Sequence, residues 1–425
     1  MDRFVGILGL IVLLVIAWAL SRKRDNINWR LVGWGIGLQF VFALLILKTG
    51  PGKWVFEQCN SIILAVLKCA DSGSNFVFGN LIGRFVNVGT VESSGEFVQS
   101  QQLVVDNGMA FFAFSVLPTI IFFSALITIL YHYGIMQKLV LFIAKIMAKT
   151  MKSSGSESLS AAANIFVGQT EAPLVVKPYI GKMTMSELGA IMTGGFATVA
   201  GGVMAAYVGL LKDAVPGIAG HLMAASIMSA PAGLVFAKLF MPETEKSMTA
   251  GEVKLKVEKV DKNGIDAASR GASDGLRLAL NVGAMLIAFI ALVTLVNTIL
   301  GLFWDELSLA WIFGKVLAPL AWLMGVPWAD CAKFGDILGT KIMINEFVAF
   351  MKLQTYAAAL SPKAQIIGAY ALCGFANLSS IGIQIGGISG IAPERRSDLA
   401  KLSIRAMTAG AFASWSTACI AGILL

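Results

Sequence analysis

The sequence predicts an all-α polytopic membrane protein, with about eight transmembrane helices and two re-entrant helical hairpins arranged as an inverted repeat. Three observations lead to this prediction. Of the 425 residues, 57% are hydrophobic and only 14% are charged, whereas about 25% of the residues of a soluble domain are charged. Apolar stretches of about 20 residues, long enough to cross a bilayer as helix, recur along the whole chain. Two further apolar segments are interrupted by polar residues and have similar neighbours.

The eight predicted spans are continuous apolar runs without the period-two alternation of outer-membrane barrel strands. The first run is followed, not preceded, by the basic residues Arg22 to Arg24, so we interpret it as a retained span and not as a cleaved signal peptide. The predicted spans are Phe4–Leu20, Leu31–Leu47, Phe111–Tyr131, Leu188–Leu211, His221–Phe240, Leu276–Leu302, Ala364–Gly387 and Leu402–Leu425.

Basic residues cluster after the first, third, fifth and seventh spans, which predicts that these loops are cytoplasmic in a bacterial inner membrane. Both termini are then periplasmic, Lys48–Met109 is an external loop, and Pro242–Ser273 is a solvated cytoplasmic loop. The net charge of +8 therefore reflects topology and does not indicate a nucleic-acid partner. The clusters are Arg22, Lys23, Arg24 and Arg30; Lys138, Lys145, Lys149 and Lys152; Lys254, Lys256, Lys259, Lys262 and Arg270; and Arg395, Arg396 and Lys401.

Two segments, residues 158–180 and 326–360, are apolar at both ends but polar in the middle. Gly168–Pro173 interrupts the first and Asn345–Glu346 interrupts the second. Lipid cannot satisfy the backbone groups that such an interruption frees, so each segment must line a cavity or pack within protein. We predict that each forms a helix-break-helix hairpin.

An internal repeat connects the two hairpins. Gly195–Val199 follows the first hairpin, and the similar Gly374–Leu378 follows the second. The charge topology makes the two units inverted, which is typical of secondary transporters with a site at the repeat interface. We divide the chain into 1–110 (N-terminal scaffold spans and external loop), 111–211 (first repeat), 212–275 (connecting span and loop), 276–387 (second repeat) and 388–425 (C-terminal span).

Each hairpin carries one glutamate, Glu171 in the first and Glu346 in the second. An ionised residue inside the membrane costs at least about 2.5 kcal/mol and is usually functional. The alternative is a structural ion pair or a hydrogen bond to exposed backbone at the hairpin tip. Lys341 is a candidate partner for Glu346, although their spacing places them off a common helical face.

Neutral donors and acceptors surround these carboxylates, which favours an uncharged, polyhydroxylated ligand over an anion. They are Gln169, Thr170, Asn377, Ser379 and Ser380. Interhelical hydrogen bonding is the alternative role for the two serines, and simple packing is the alternative for Phe375, which could stack on a planar ring.

Asn164, Val167, Thr198 and Val199 lie beside the first break and in its partner span. A carboxamide oxygen, a hydroxyl and unwound carbonyls are the ligands that a transporter uses for Na⁺, and polar packing between helices is the alternative. The chain has no catalytic constellation, since His132 and His221 lack suitable neighbours, and its five cysteines indicate neither a metal site nor a disulfide framework. We therefore do not expect an enzyme, and an intramembrane enzyme is the first alternative to a transporter. A channel is the second alternative, but the paired broken hairpins favour alternating access.

At these residues the sequence resembles the concentrative nucleoside transporter family, particularly its bacterial sodium/nucleoside symporters. The resemblance extends from the first span to the last. It is most specific in Ala162–Leu174, which contains Gly-Gln-Thr-Glu, in Asn345–Ala349, which reads Asn-Glu-Phe-Val-Ala, and in Cys373–Ser380.

The resemblance implies a Na⁺-coupled symporter that imports nucleosides by alternating access, with a proton-coupled symporter as the alternative. It implies Gln169, Thr170, Glu171 and Val203 around the nucleobase, and Glu346, Asn377 and Ser380 on the ribose, with Phe375 lining the pocket. It further implies Na⁺ near Asn164, Val167, Thr198 and Val199, a homotrimer with Leu276–Leu302 near the subunit contact, and a Gly168-Gln169 variant that accepts pyrimidine nucleosides and need not exclude purines.

Overall fold

The computed structural model describes residues 2–79, 85–91, 97–104, 112–249 and 261–425, which form nineteen α-helices and one two-stranded sheet. The helical fold with two hairpins in an inverted repeat is confirmed. The N-terminal elements are α1 (Asp2–Ala19), α2 (Trp29–Lys48), α3 (Gly50–Phe78), β1 (Phe85–Val91), β2 (Phe97–Val104), α4 (Phe112–Ser115), α5 (Leu117–His132) and α6 (Ile135–Met151).

The prediction that Lys48–Met109 is a loop is wrong, because much of the segment is helix or strand. Its first part is the 29-residue helix α3, which Thr49 caps by accepting a hydrogen bond from the Gly52 N–H at 3.0 Å. β1 and β2 then pair antiparallel, with Phe85 opposite Val104. The polar residues of α3 interrupt its apolar run, so the segment shows no continuous hydrophobic stretch although it is helical.

The basic segment after α5 is also helix and not loop. α6 exposes Lys138, Lys145 and Lys149, while Val140 and Ala144 are buried one turn apart on the opposite face. This is the pattern of an amphipathic helix. α5 and α6 are bent by 77° at Gly134, whose φ of +76° is a left-handed conformation that glycine adopts without steric cost.

The first hairpin runs through α7 (Gly155–Ala163), an irregular tip followed by a 3₁₀ helix (Ala172–Val176), and α8 (Lys177–Ile180). The span after it is broken into α9 (Met185–Ala197) and α10 (Gly201–Leu211), and α11 (Ile218–Phe240) follows. α7 and α9 begin with matching capping boxes, Ser154 with Glu157 and Thr184 with Glu187. These boxes satisfy backbone N–H groups that the start of each helix leaves unpaired.

The second half begins with two scaffold elements, α12 (Gly264–Gly301) and the pair α13 (Leu309–Val316) and α14 (Ala318–Leu323). The second hairpin is α15 (Cys331–Met343) and α16 (Glu346–Tyr356), and the span after it is broken into α17 (Pro362–Leu372) and α18 (Leu378–Ile391). The chain ends with α19 (Arg396–Leu424). Asn345 caps α16 by accepting from the Val348 N–H at 2.9 Å, which explains why the break occurs at this residue.

The two hairpins enter from opposite ends of the bundle, as their positions relative to the two ends of α1 show. After the C-terminal end of α1, the Arg22 N–H donates to Phe240 O, beside the base of the first hairpin. In the N-terminal half of α1, a Cβ on Gly9 would collide with Leu323, just before the second hairpin. The base of that hairpin is closed by Ser361, whose hydroxyl donates to Asp330 at 2.6 Å.

Among the described residues, six helical segments are long and apolar enough to cross a membrane, or seven if the bent pair α5 and α6 is one span. They include α3, which was not predicted as a span. Of the predicted spans, the first is a shorter apolar helix and the seventh is the broken pair α17 and α18. Some spans are therefore unbroken helices and others are short or broken, a difference that the hydropathy of the sequence does not show.

The long insert Pro242–Ser273 is not simply a solvated loop. The Ser247 hydroxyl donates to the buried carboxylate of Glu187 at 2.5 Å, and the hydroxyls of Thr249 and Ser156 lie 2.9 Å apart. Its last residues form the first turns of α12. Residues 250–260, with three of the predicted basic residues, lie outside the described part of the chain.

Candidate functional site

The two broken spans cross at their breaks, and this crossing forms the centre of the site. The Phe375 N–H, between α17 and α18, donates to Thr198 O, between α9 and α10, at 3.3 Å. Gly374 has a φ of +149°, and a Cβ there would lie 2.8 Å from Phe196 O. Only glycine combines this conformation with such a close approach. The crossing thus brings unwound backbone from both repeats together inside the protein.

One end of the site is built around the buried carboxylate of Glu346. Its Oε1 accepts a hydrogen bond from the Tyr207 hydroxyl at 2.8 Å, and its Oε2 accepts from the Asn377 amide nitrogen at 2.7 Å. Asn377 is held in this orientation because its oxygen caps α18, accepting from the Ser380 N–H at 2.8 Å and from the Ser379 hydroxyl at 2.7 Å. A carboxylate has about four acceptor positions, so Glu346 retains capacity for ligand hydroxyls.

The other end of the site is built around the amide of Gln169, at the tip of the first hairpin. Its nitrogen donates to the Ser380 hydroxyl at 3.3 Å, and its oxygen accepts from the Gln384 amide at 3.0 Å. Gln384 also donates to Met192 O at 3.1 Å. Two hydrogen bonds with α18 therefore fix both ends of the Gln169 amide, which the tip of the first hairpin carries.

These two ends form one continuous hydrogen-bonded chain, which we call the polar belt. In order it contains Tyr207, Glu346, Asn377, Ser380, Gln169, Gln384 and the carbonyl of Met192. It connects both hairpins and both broken spans. One end offers an ionised acceptor and the other offers an amide, a pairing that suits a ligand with hydroxyls at one end and an amide-like ring at the other.

Four further predicted pocket residues lie beside the belt or apart from it. Val203 is buried in the first turn of α10, and Phe375 is buried at the crossing. Thr170 packs against α18, since a Cβ on Gly387 would lie 2.8 Å from its methyl group. Glu171 is exposed, with its carboxylate over Gly168.

Glu171 takes no part in the hydrogen bonds that form the polar belt. The structure therefore brings Gln169, Glu346, Asn377 and Ser380 together, and it leaves Glu171 exposed at the tip of the first hairpin, beside Gly168.

Two of the predicted Na⁺ ligands, Asn164 and Thr198, lie beside Gly194. The Thr198 hydroxyl donates to Gly194 O at 3.0 Å, and a Cβ on Gly194 would lie 3.1 Å from the Asn164 amide nitrogen. The Asn164 amide donates to Ser160 O at 3.1 Å, while its oxygen is buried without a partner. The tip of the hairpin is tied to the break by the Gly201 N–H, which donates to Phe166 O at 3.0 Å.

These donors fit an alkali cation. Asn164 and Thr198 contribute neutral side-chain oxygens, and Val167 and Val199 are residues of the tip and the break whose carbonyls are outside regular helix. A buried oxygen without a hydrogen-bond partner costs free energy unless a bound ion or water interacts with it, and Na⁺ would do so at the Asn164 oxygen. The described residues contain no group of three or more His, Cys, Asp or Glu suited to a metal ion, so the set does not resemble a transition-metal site.

Lys341 does not pair with Glu346. Its ammonium group is fully buried and donates to Ala371 O at 2.8 Å, and no ion pair joins it to Glu346 among the described residues. Ala371 lies in the last turn of α17, where carbonyls lack helical partners and carry partial negative charge. Lys341 therefore stabilises the end of α17 directly before the crossing.

Two belt residues were not predicted from the sequence, Tyr207 and Gln384. Their partners are distant along the chain, since Tyr207 bonds to a residue 139 positions away and Gln384 to one 215 positions away. A tyrosine and a glutamine inside predicted apolar spans were the available signals. A buried polar group in a membrane span requires a partner, so each such residue indicates a contact with another part of the protein.

Comparison with known proteins connects this geometry to a group of transporters. Family models match at residues 221–422 (Na⁺ dependent nucleoside transporter C-terminus), 8–81 (Na⁺ dependent nucleoside transporter N-terminus) and 113–214 (nucleoside recognition). The chain is 44% identical over 426 residues to the uncharacterized transporter YutK of Bacillus subtilis (strain 168), covering 99% of each protein. It is 40% identical to mouse sodium/nucleoside cotransporter 1, where it covers 100% of its own length but spans only 64% of the relative.

Solved structures of CNTnw have the same fold. With the inward-facing substrate-bound state the TM-score is 0.88 at 41% identity, covering 100% of this chain and 98% of that chain. With an outward-facing variant the TM-score is 0.89, again at 41% identity and with the same coverage. The two TM-scores differ by only 0.01, so the overall fold is compatible with both the inward-facing and the outward-facing state.

Proposed function

This chain belongs to the concentrative, Na⁺-dependent nucleoside transporter family, and from that premise we propose that it is a secondary active symporter that imports nucleosides together with Na⁺. The family consists of transporters and not of enzymes. The observation that carries the proposal is the polar belt, because it places the Glu346 carboxylate and the Gln169 amide in one chain of hydrogen bonds across both repeats.

The proposed substrate is a nucleoside, with uridine and other pyrimidine nucleosides preferred and purine nucleosides accepted. Glu346 would accept hydrogen bonds from the ribose hydroxyls, with Asn377 and Ser380 as neighbours. Charge-assisted bonds of this kind are about twice as strong as neutral ones. Gln169 and Thr170 would contact the nucleobase beside Val203, and Phe375 would line the pocket. Glu171, at the tip of the same hairpin, would complete this set around the nucleobase.

Na⁺ is the proposed coupling ion, held by Asn164 and Thr198 with carbonyls of Val167 and Val199. The support is the unpartnered, buried Asn164 oxygen, which a cation would satisfy. A bound ion beside the tip would order the residues that carry Gln169, so ion and nucleoside would bind cooperatively, each raising the affinity for the other by the same factor.

Proton coupling is the second candidate, and one observation favours it. Glu171 is a carboxylate at the tip of the first hairpin, and uptake of a proton there would remove a charge that is costly to carry across the membrane. In this version Asn164 and Thr198 would be structural.

For the transport cycle we propose that the two hairpins and their broken spans move against a static scaffold of α5 and α12. Gly271 and Gly275 support the idea of a rigid pair, since a Cβ on either would lie 2.7 Å from the backbone of α5. The exposed apolar face of α12, which includes Leu276, Leu280 and Ile287, would contact other subunits of a homotrimer or lipid. We further propose an inner-membrane location with both termini in the periplasm.

The test is uptake of radiolabelled uridine into proteoliposomes with Na⁺ and H⁺ gradients imposed separately. An inward Na⁺ gradient alone should concentrate uridine. Asn164→Ala and Thr198→Ala should raise the Na⁺ concentration for half-maximal uptake. If a pH gradient in sodium-free buffer gives full uptake and both variants behave as wild type, the coupling ion is H⁺ and Glu171 is its site. If neither gradient concentrates any nucleoside, the proposed function is wrong.

A further inference from the structure

Gln384 is a fully buried glutamine in α18 that the family resemblance does not assign to the site. Its amide nitrogen donates to Gln169 Oε1 at 3.0 Å and to Met192 O at 3.1 Å. Its own oxygen is buried without a hydrogen-bond partner. The packing around it is tight, since a Cβ on Gly195 would lie 2.8 Å from the Gln384 nitrogen and 2.9 Å from Gln169 Cβ.

The carbonyl of Met192 sets the direction of this hydrogen-bonded chain. A carbonyl oxygen only accepts hydrogen bonds, so Gln384 must turn its nitrogen toward Met192. If the Gln384 amide were reversed, its oxygen would face two acceptors, Met192 O and the oxygen of Gln169. The second N–H of Gln384 is therefore committed to Gln169, which must present its oxygen in return.

The orientation of Gln169 follows from that of Gln384. With its oxygen held by Gln384, the NH₂ group of Gln169 points toward Ser380, to which it donates at 3.3 Å. An NH₂ group has two hydrogens, and Ser380 uses one. The remaining N–H is the group that Gln169 can offer to a ligand, and it is a donor.

We propose that Gln384 is a positioning residue for nucleobase selection, which fixes the Gln169 amide so that it donates to a carbonyl oxygen of the base. This inference rests on the proposed function. A base carbonyl oxygen accepts a hydrogen bond from this N–H. An amino group at the same position is itself a donor, so its hydrogens would face the N–H of Gln169 and no hydrogen bond would form. Uridine carries oxygen acceptors at positions 2 and 4. Cytidine replaces the position-4 oxygen with an amino group, and 2-thiouridine has a weaker acceptor at position 2.

The experiment measures dissociation constants of uridine, cytidine and 2-thiouridine by calorimetry on the purified protein, for wild type and for Gln384→Leu. In the variant the Gln169 amide can rotate and present either its oxygen or its nitrogen. At least one of the two ratios, cytidine to uridine or 2-thiouridine to uridine, should move toward 1 by about three- to tenfold, as expected for one neutral hydrogen bond. A structural role alone would weaken all three ligands equally.

Gln365→Leu is the matched control. Gln365 also donates two hydrogen bonds to carbonyls, Ala357 O at 2.7 Å and Leu360 O at 3.1 Å, but these do not reach Gln169. This variant should keep both ratios. Gln384→Met, which is unbranched and similar in length, repeats the measurement with the least change in packing.

Three outcomes overturn the inference. Both ratios could stay within twofold of wild type in the Leu and Met variants, or the control could shift them equally. Alternatively, both Gln384 variants could lose all uridine binding while their melting temperatures show that they remain folded. Such a loss would be larger than the loss of one hydrogen bond to the base can explain. A wild-type protein that binds no nucleoside would instead refute the proposed function, so the two failures are distinguishable.

Discussion

Replacing Glu346 with glutamine removes the negative charge of the polar belt while keeping the shape of the side chain. Its Oε2 accepts from the Asn377 amide at 2.7 Å, and Asn377 cannot reverse because its oxygen caps α18. The new amide must therefore direct its oxygen to Asn377 and its nitrogen to Tyr207. The Tyr207 hydroxyl, 2.8 Å from Oε1 in the native protein, can change from donor to acceptor. The variant should fold.

The loss should appear in ligand affinity. A hydrogen bond to an ionised group contributes about 1.5–3 kcal/mol and a neutral one about 0.5–1.5 kcal/mol, so each ribose hydroxyl loses about 1–1.5 kcal/mol. For two hydroxyls the sum is about 2–3 kcal/mol, which corresponds to about 30- to 150-fold weaker uridine binding. 2′-Deoxyuridine, with one hydroxyl fewer on the ring, should lose only about half of this free energy.

The assay is calorimetric titration of uridine and 2′-deoxyuridine into wild type, Glu346→Gln and Tyr207→Phe, with melting temperature as the control for folding. Tyr207→Phe keeps the charge and removes one donor, so it should cost uridine affinity less than the glutamine variant does. Uridine affinity within threefold of wild type in a folded Glu346→Gln protein would refute the ribose assignment. An equal loss for both ligands would show that Glu346 does not contact the 2′-hydroxyl, the one group in which they differ.

Three other variants test separate parts of the reasoning. Asn164→Ala should raise the Na⁺ concentration for half-maximal uptake without changing the order of nucleoside preference, and an unchanged Na⁺ dependence would remove Asn164 from the ion site. Gly374→Ala should lower the melting temperature because of its positive φ and the close backbone of α9, whereas Gly382→Ala, with nothing within 4 Å of its Cβ, should not. Lys238→Met leaves the buried Glu157 carboxylate without its cation and should destabilise the protein by about 3–5 kcal/mol. Adding Glu157→Gln to the last variant should recover much of that stability, and no recovery would contradict the ion-pair explanation.

The sequence predicted local breaks best where a polar residue within an apolar segment starts a new helix. Asn345 is such a residue, because its side chain caps α16, and the second hairpin was found at the predicted place. The polar tip of the first hairpin was equally clear against its apolar flanks. These signals are local, and lipid makes them strong because polar residues at membrane depth need a reason to be there.

Helices of mixed polarity were the part of the fold that the sequence interpretation missed. α3 and α6 carry polar or basic residues at intervals, so they were interpreted as loops. Both bury one face against the protein, as Leu67 and Ala70 of α3 do. Whether a mixed segment is a loop or a helix depends on the surface available to cover its apolar side, and no short stretch of sequence contains that information.

The sequence by itself therefore determined the membrane class, the two hairpins, the repeat and four of the belt residues, Gln169, Glu346, Asn377 and Ser380, because each of these follows from composition or from a local conflict between polarity and lipid. The tertiary structure alone decided that the breaks cross at Thr198 and Phe375, that Tyr207 and Gln384 complete the belt, and that Glu171 takes no part in the hydrogen bonds of the belt. These features depend on contacts between residues far apart in the chain. Their geometry is set by the packing of whole helices, and the pattern of residues within any one helix does not specify it.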